Sequence, residues 1–282
     1  MAELGITEEG GFQVGILDKL RLDGRVAVVT GAGRGLGRAM AVALARAGAD
    51  VVCAARSQDQ IEETARLVRE LGPRSLALPT DVTDPHQCTN LIETTVKELG
   101  RIDILVNNAG GATPGYDKPV EEITDEEWRL GIDTNLSSVF YCCRAAIPHM
   151  VRQGGGKIIN VSSGYGLRGG RNNFIYCSAK AAIINFTRSL ALTYARYNIQ
   201  ANCIVPGFFP HENPEVLQYL RGGQFIPMGR VGRDEEIGPA CVFLASSLSD
   251  HMNGGIIVLD GGGLAGGQAP TGLAPRIPLR EE

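Results

Sequence analysis

The sequence has no excess of basic residues, no long apolar run and no paired-cysteine motif, and each absence removes a class of function. Its 27 Lys and Arg are outnumbered by 31 Asp and Glu, for a net charge of −4. Nucleic-acid binders usually carry a basic face, so a partner of that kind is not expected. No stretch approaches the roughly 18 consecutive apolar residues of a membrane span. The first twenty residues carry four acids, where a secretory leader has a positive start and an apolar middle. Neither a span nor a leader is expected. The cysteines, Cys53, Cys88, Cys142, Cys143, Cys177, Cys203 and Cys241, are odd in number and form no C-x-x-C. That suits free thiols in the cytoplasm better than disulfides or zinc, and no ligand cluster argues for a metal. There is no internal repeat and no sign of a second domain.

What the chain does have is regular alternation. Short β-branched runs at Arg25–Thr30, Asp50–Ala55, Ser75–Leu78, Ile102–Val106, Lys157–Val161, Ile199–Val205 and Ile256–Leu259 read as strands. Between them Gly35–Ala47, Ser57–Leu71, Asp84–Leu99, Thr124–Arg152, Phe174–Tyr197 and Glu235–Ser246 read as helices. Asp84 and Pro85 form a start signal, and Thr124 with Glu127 a capping box. Continuous apolar strands alternating with helices predict an α/β fold. It is a Rossmann-type, doubly wound parallel sheet of seven strands in one domain, with helices on both faces. The domain is expected over residues 23–262, after an N-terminal arm (1–22) and before a Gly/Pro-rich tail (263–282).

The first strand runs into Thr30-Gly31-Ala32-Gly33-Arg34-Gly35-Leu36-Gly37. Glycines between a strand and a helix let the backbone approach a pyrophosphate, which the helix N-terminus then holds. The spacing is T-G-x-x-x-G-x-G rather than G-x-G-x-x-G. NAD enzymes usually place an acid at the end of the second strand for the ribose 2′-hydroxyl. Here that strand ends Ala55-Arg56-Ser57, and Arg34 stands in the glycine turn. Two guanidiniums suit a 2′-phosphate, so NADP(H) is favoured and NAD(H) is the alternative. Arg56 as a merely solvated helix-start residue is the plainer reading.

Tyr176 and Lys180 are one helical turn apart on one face. A phenol titrates near 10, and an ammonium held beside it lowers that value by favouring phenolate. Ser162-Ser163 ends the preceding strand, where a hydroxyl can meet a substrate carbonyl oxygen. In order along the chain stand the TGAGRGLG turn, Asp81-Val82, Asn107-Asn108-Ala109-Gly110, Asn135, Ser163, Tyr176 with Lys180, and Pro206-Gly207. Together they resemble the short-chain dehydrogenase/reductase family over about Leu22–Gly262, close to its 3-oxoacyl-acyl-carrier-protein reductases and sugar dehydrogenases.

The resemblance implies an oxidoreductase that interconverts a carbonyl compound and its alcohol. Tyr176 is then the general acid or base, Lys180 lowers its pKa and binds the ribose, and Ser163 polarises the carbonyl, with Ser162 its rival. Asn135 holds a relay water. Gly31, Gly33, Gly35, Leu36 and Gly37 cradle the pyrophosphate. Asp81 and Val82 flank the adenine. Asn108, Ala109 and Gly110 line the groove, with Asn107 structural. Pro206, Gly207 and Phe209 border the nicotinamide. The family also implies a homotetramer, packed through the helices around Thr124–Arg152 and Phe174–Tyr197.

One departure bears on the site. A threonine is common five residues after the proline of the P-G pair, and here that position is His211. Substrate recognition is expected in the loops Gly111–Pro119, Gly164–Asn173 and Gly207–Gln224. Their candidates are Tyr116, Tyr165, Arg168, Phe208, Phe209, His211, Asn213 and Tyr219. Arg168 and Arg171 suit either an anionic substrate or a solvated face. A sugar or polyol, an acyl thioester and a steroid or other ketone all stay open. So do an NAD-dependent polyol dehydrogenase, a related isomerase or dehydratase, and a non-catalytic dinucleotide sensor of the same fold.

Overall fold

Strands buried on both faces need apolar side chains at every position, and Val26–Thr30 (β1) buries all five of its residues. The other strands are Asp50–Ala55 (β2), Ser75–Pro79 (β3), Ile104–Asn107 (β4), Gly156–Val161 (β5), Ile199–Pro206 (β6) and Ile256–Leu259 (β7). In the computed structural model, which describes residues 15–211 and 226–266, they form one sheet in the order β3-β2-β1-β4-β5-β6-β7. Every pairing is parallel. The expected seven-stranded, doubly wound architecture is the one found.

Among the described residues seven helices cover the sheet: Gly35–Arg46 (α1), Gln58–Glu70 (α2), Pro85–Leu99 (α3), Asp125–Ile132 (α4), Ser138–Arg152 (α5), Phe174–Tyr194 (α6) and Gly238–Ala245 (α7). The two-residue alternation of β1 shows how they divide. Val26 and Val28 pack with Leu91, Cys142 and Ile183 of α3, α5 and α6. Ala27 and Val29 pack with Leu44, Ile61 and Leu244 of α1, α2 and α7. No helix among the described residues is long and apolar enough to cross a membrane.

The caps explain the element ends. Asp84 accepts the His86 N–H at 2.8 Å ahead of Pro85, and Gly100 closes α3 at φ 86°. Thr124 and Glu127 exchange both bonds of the capping box. The single helix expected over Thr124–Arg152 is interrupted by a π-helical turn, Asp133–Ser137. Its cause is a side chain: Asn135 Nδ2 donates to the Gly131 carbonyl at 3.0 Å and competes with the α-helical ladder. Ile102, expected to begin β4, precedes the ladder and gives its N–H to Gln153 Oε1. The expected helix over Glu235–Ser246 opens as a 3-10 turn, Asp234–Ile237, with Pro239 in the first turn of α7.

The arm and tail are described only at residues 15–22 and 263–266. Leu22, placed in the arm by sequence, is buried and gives its N–H to the Ala47 carbonyl at 2.7 Å.

Candidate active site

The winding of the sheet reverses between β1 and β4, and a crevice opens there at the carboxyl ends of the strands. Thr30 staples its two sides. Its Oγ1 accepts the N–H groups of Asn108 at 3.0 Å and Ala109 at 3.1 Å, and Asn108 Nδ2 donates to the Thr30 carbonyl at 2.9 Å. The glycine turn has no room for side chains. Gly31 takes φ +67°, and a Cβ on Gly37 would overlap the Gly31 carbonyl oxygen. Arg38 donates to the Gly33 carbonyl, and Thr64 Oγ1 to the Ala32 carbonyl at 2.8 Å. Arg34, the residue before α1, makes no side-chain cap, so Gly35, Leu36 and Gly37 begin a helix whose first N–H groups are open to an anion. This turn fits a dinucleotide pyrophosphate.

The 2′-position is equally readable. Arg34 and Arg56 are exposed. A Cβ on Gly33 would stand 3.8 Å from that of Ala55, so the two arginines follow backbone that is in contact. Neither has an ion-pair partner among the described residues. Asp50, at the opposite end of β2, is engaged by Arg74 at 2.7 Å.

Other cofactor candidates fall around this crevice. Asp81 Oδ1 accepts from the Thr83 N–H and hydroxyl, shaping the loop after β3, and Val82 is buried beside it. Asn107 is internal. Its Nδ2 donates to Asn160 Oδ1 at 2.9 Å, and Asn160 Nδ2 to Thr187 Oγ1 at 2.9 Å, tying β4 and β5 to α6. His211, expected among the substrate loops, is not part of the cavity lining described below. It takes φ 54°, pairs through Nδ1 with Asp234 at 2.8 Å and sets its ring against Gly35, beside the phosphate turn.

Across the sheet from that turn, the two adjacent serines separate. Ser162 is buried and donates to the Lys180 carbonyl at 2.6 Å. Ser163 instead accepts the Tyr165 N–H at 3.2 Å and faces a cavity that Tyr176 also lines. Burial raises the Tyr176 pKa, and the opposing pull comes from the Ser163 hydroxyl, where sequence pointed to Lys180. Lys180 lies behind the phenol, its Nζ 5.6 Å from the ring centroid and donating to the Val161 carbonyl at 2.9 Å. Burial brings its pKa down to about 8, so it remains mostly charged at neutral pH. A Cβ on Gly110 would meet Asn135 Oδ1 at 2.7 Å and Lys180 Nζ at 3.3 Å. Asn135 itself is fully buried, holding the Gly111 N–H at 2.8 Å and its carbonyl at 3.0 Å. The arrangement can give a proton from a phenol to an oxygen held by a neighbouring hydroxyl, with a buried cation behind.

The cavity has a volume of about 420 Å³. Tyr116, Tyr165, Arg168, Phe208 and Phe209 line it as expected from their loops, together with Pro206 and Gly207. Arg171 does not line it, and Asn213 and Tyr219 lie outside the described residues. Ile226, Asp260 and Leu264 also line it and were not expected. The one signal for them was Asp260-Gly261-Gly262, a turn sequence directly after β7. Asp260 accepts the N–H groups of Gly262 at 2.9 Å and Leu264 at 2.7 Å, which folds the start of the tail over the cavity.

A family model described as enoyl-(acyl carrier protein) reductase matches residues 31–263. The 2-dehydro-3-deoxy-D-gluconate 5-dehydrogenase of Dickeya dadantii is 38% identical over 259 residues, covering 89% of this chain and 99% of that protein. The crystal structure of a short-chain type dehydrogenase/reductase from Mycobacterium marinum aligns with a TM-score of 0.82 at 35% identity, covering 89% of this chain and 99% of that one. That of a gluconate 5-dehydrogenase from Burkholderia cenocepacia, in complex with NADP and tartrate, aligns at 0.81 and 34% identity with the same coverage.

Proposed function

The chain belongs to the short-chain dehydrogenase/reductase family of oxidoreductases acting on CH–OH groups, and within it we propose an NADP(H)-dependent enzyme that interconverts a carbonyl compound and its alcohol. The observation that carries this reading is the shared cavity of Ser163 and Tyr176, with Lys180 buried behind the phenol. When bound, the nicotinamide supplies a hydride to the carbonyl carbon. Tyr176 gives its phenolic proton to the carbonyl oxygen, and in oxidation takes it back. Ser163 donates a hydrogen bond to that same oxygen. Lys180 keeps a positive charge behind the phenol, favouring the phenolate, and reaches toward the ribose. Asn135, beside Lys180 across Gly110, holds a water through which the proton is replaced.

The preference for NADP(H) over NAD(H) rests on Arg34 and Arg56, on the lack of an acid at the end of β2, and on the NADP named with the Burkholderia relative. A homotetramer is the assembly we expect. Trp128 of α4, Phe140 of α5 and Leu192 of α6 are exposed apolar residues that neighbouring copies would cover, and light scattering tests it. A cytoplasmic setting is the one we propose, from seven scattered cysteines that form no C-x-x-C; burial pushes the thiols of Cys143 and Cys241 up to about 12, which leaves those two unreactive.

The decisive experiment follows NADPH oxidation with a panel of ketones in the wild type and in Tyr176→Phe. The variant is expected to lose about 10²- to 10⁴-fold in kcat/KM while binding NADPH as before. A variant as fast as the wild type, or a wild type that reduces no carbonyl, would refute the reading; the latter is what a dinucleotide sensor would give.

A further inference from the structure

We infer that Arg168 is a substrate-binding residue, and that it selects substrates carrying a carboxylate several carbons away from the reacting carbon. The inference rests on the oxidoreductase reading above and names the substrate class of the same cavity. Among the described residues two charged side chains, Arg168 and Asp260, reach the lining. Asp260 has both oxygens on backbone N–H groups of its own turn, at 2.9 and 2.7 Å. Arg168 has no carboxylate among the described residues. Its guanidinium stacks over the Tyr165 ring, 5.2 Å from the centroid. A guanidinium stacked on an aromatic face keeps its in-plane N–H donors free, and their fork matches a carboxylate. Among the described residues the cavity thus holds one guanidinium without an ion-pair partner, exposed at its rim beside apolar and aromatic walls, while the Asp260 carboxylate keeps its charge with both oxygens taken up by its own turn.

Its place sets the substrate's length. Tyr165 also meets the Tyr176 ring edge-on, at 6.4 Å between centroids. Tyr165 thus touches both the guanidinium and the Tyr176 ring, and we place the substrate's carboxylate on its far side from the phenol. In a 2-oxo acid the carboxylate is bonded to the reacting carbon and would sit at the phenol, short of Arg168. A 4- or 5-oxo acid, or its hydroxy acid, spans the gap. Phe208 and Leu264 flank the space between and suit a hydrocarbon or alicyclic spacer. Arg171, three residues along the same loop, is outside the lining and serves as the control.

The test compares NADPH-dependent reduction of 4-oxocyclohexanecarboxylate with that of its methyl ester and of a 2-oxo acid. The wild type is expected to prefer the acid over the ester ten- to a hundredfold in kcat/KM, chiefly through KM, and to prefer it over the 2-oxo acid. In Arg168→Gln the acid-to-ester ratio should fall to about one, while Arg171→Gln keeps the wild-type ratio. A ratio near one in the wild type, or one unchanged in Arg168→Gln, overturns the inference, and an equal preference for the 2-oxo acid overturns the placement. Calorimetric binding of cyclohexanecarboxylate against its primary amide, with NADPH present, tests the anion site without turnover. If no ketone is reduced, the oxidoreductase reading fails, and carboxylate binding that Arg168→Gln abolishes still supports the anion site. No binding of carboxylate overturns it.

Discussion

The phosphate turn and the substrate cavity lie at the same edge of the sheet and are built in opposite ways. The turn is backbone. Its shape is set by glycines that exclude side chains, by Thr30 stapling β1 to the loop after β4, and by Arg38 and Thr64 holding the Gly33 and Ala32 carbonyls. The cavity is side chain. Tyr165 edges Phe208 at 6.5 Å between centroids and Tyr176 at 6.4 Å, and Leu264 arrives from beyond the last strand. A rigid backbone cradle suits a pyrophosphate, a group of fixed shape. Rings on loops can be exchanged for a new substrate without disturbing the sheet.

The sharpest way to break this contrast is to put a methyl group into each region. Gly37→Ala drives a Cβ into the Gly31 carbonyl, backbone against backbone. It should cost about 3 kcal/mol or more and abolish cofactor binding, read by denaturant unfolding and NADPH titration. Gly164→Ala, on the cavity wall, meets its nearest neighbours, Leu264 Cδ1 and the Pro206 carbonyl, at 3.9 Å. Stability should change by no more than about 0.5 kcal/mol. Similar losses in the two variants would show that the cavity is as rigidly framed as the turn.

Next in size is the charge at the edge of the turn. Arg34→Ala combined with Arg56→Ala should weaken NADPH binding about a hundredfold, because two charge-assisted contacts to a phosphate are lost. NADH affinity should change by less than about threefold, since it lacks that phosphate. Equal losses for both nucleotides would remove the basis for the cofactor preference.

The smallest effect concerns Lys180, where the two regions meet. Its ammonium is buried, and its folded pKa of about 8 lies below the ordinary lysine value of 10.5. At neutral pH the folded protein therefore holds a charge that burial disfavours. Lys180→Met should end turnover yet stabilise the fold by roughly 1–3 kcal/mol, the scale set by the shift less the lost bond to Val161. Between pH 8 and 10.5 only the unfolded chain keeps this proton, so the Lys180 contribution to wild-type stability rises with pH across that window, and the variant's advantage closes, the opposing effect of the buried thiols being common to both proteins. Melting temperatures of both proteins at pH 7 and pH 9.5 check it. A variant less stable at pH 7, or a gap that widens with pH, would contradict the assignment of cost to the buried charge.

The sheet was legible because its signals are local and repeated. Apolar runs, glycine stops and caps such as Asp84-Pro85 recur with every βα unit, and a βα succession leaves few ways to order the strands. The glycine turn was legible for the same reason, since glycine is demanded where backbone segments approach too closely for a Cβ. Choosing Ser163 over Ser162 took family spacing, because two adjacent hydroxyls at a strand end are equal until the pleat turns one of them toward Lys180. The π turn at Asn135 was hidden, because its cause is a side chain reaching a carbonyl one turn back. Asp260 and Leu264 could not be placed at the cavity, nor His211 at Gly35, because each meets its neighbour across a large separation in sequence.

By itself, then, the sequence determined the parallel sheet and the glycine turn after its first strand, and it nominated the residues we propose to move a proton, since these depend on backbone conformation and spacing along the chain. Only the tertiary structure decided which hydroxyl faces the cavity, which of Arg168 and Arg171 borders it, and that burial raises the phenol's pKa against the pull of the Ser163 hydroxyl. Those outcomes depend on what surrounds a group once the chain is packed, and no local pattern encodes it.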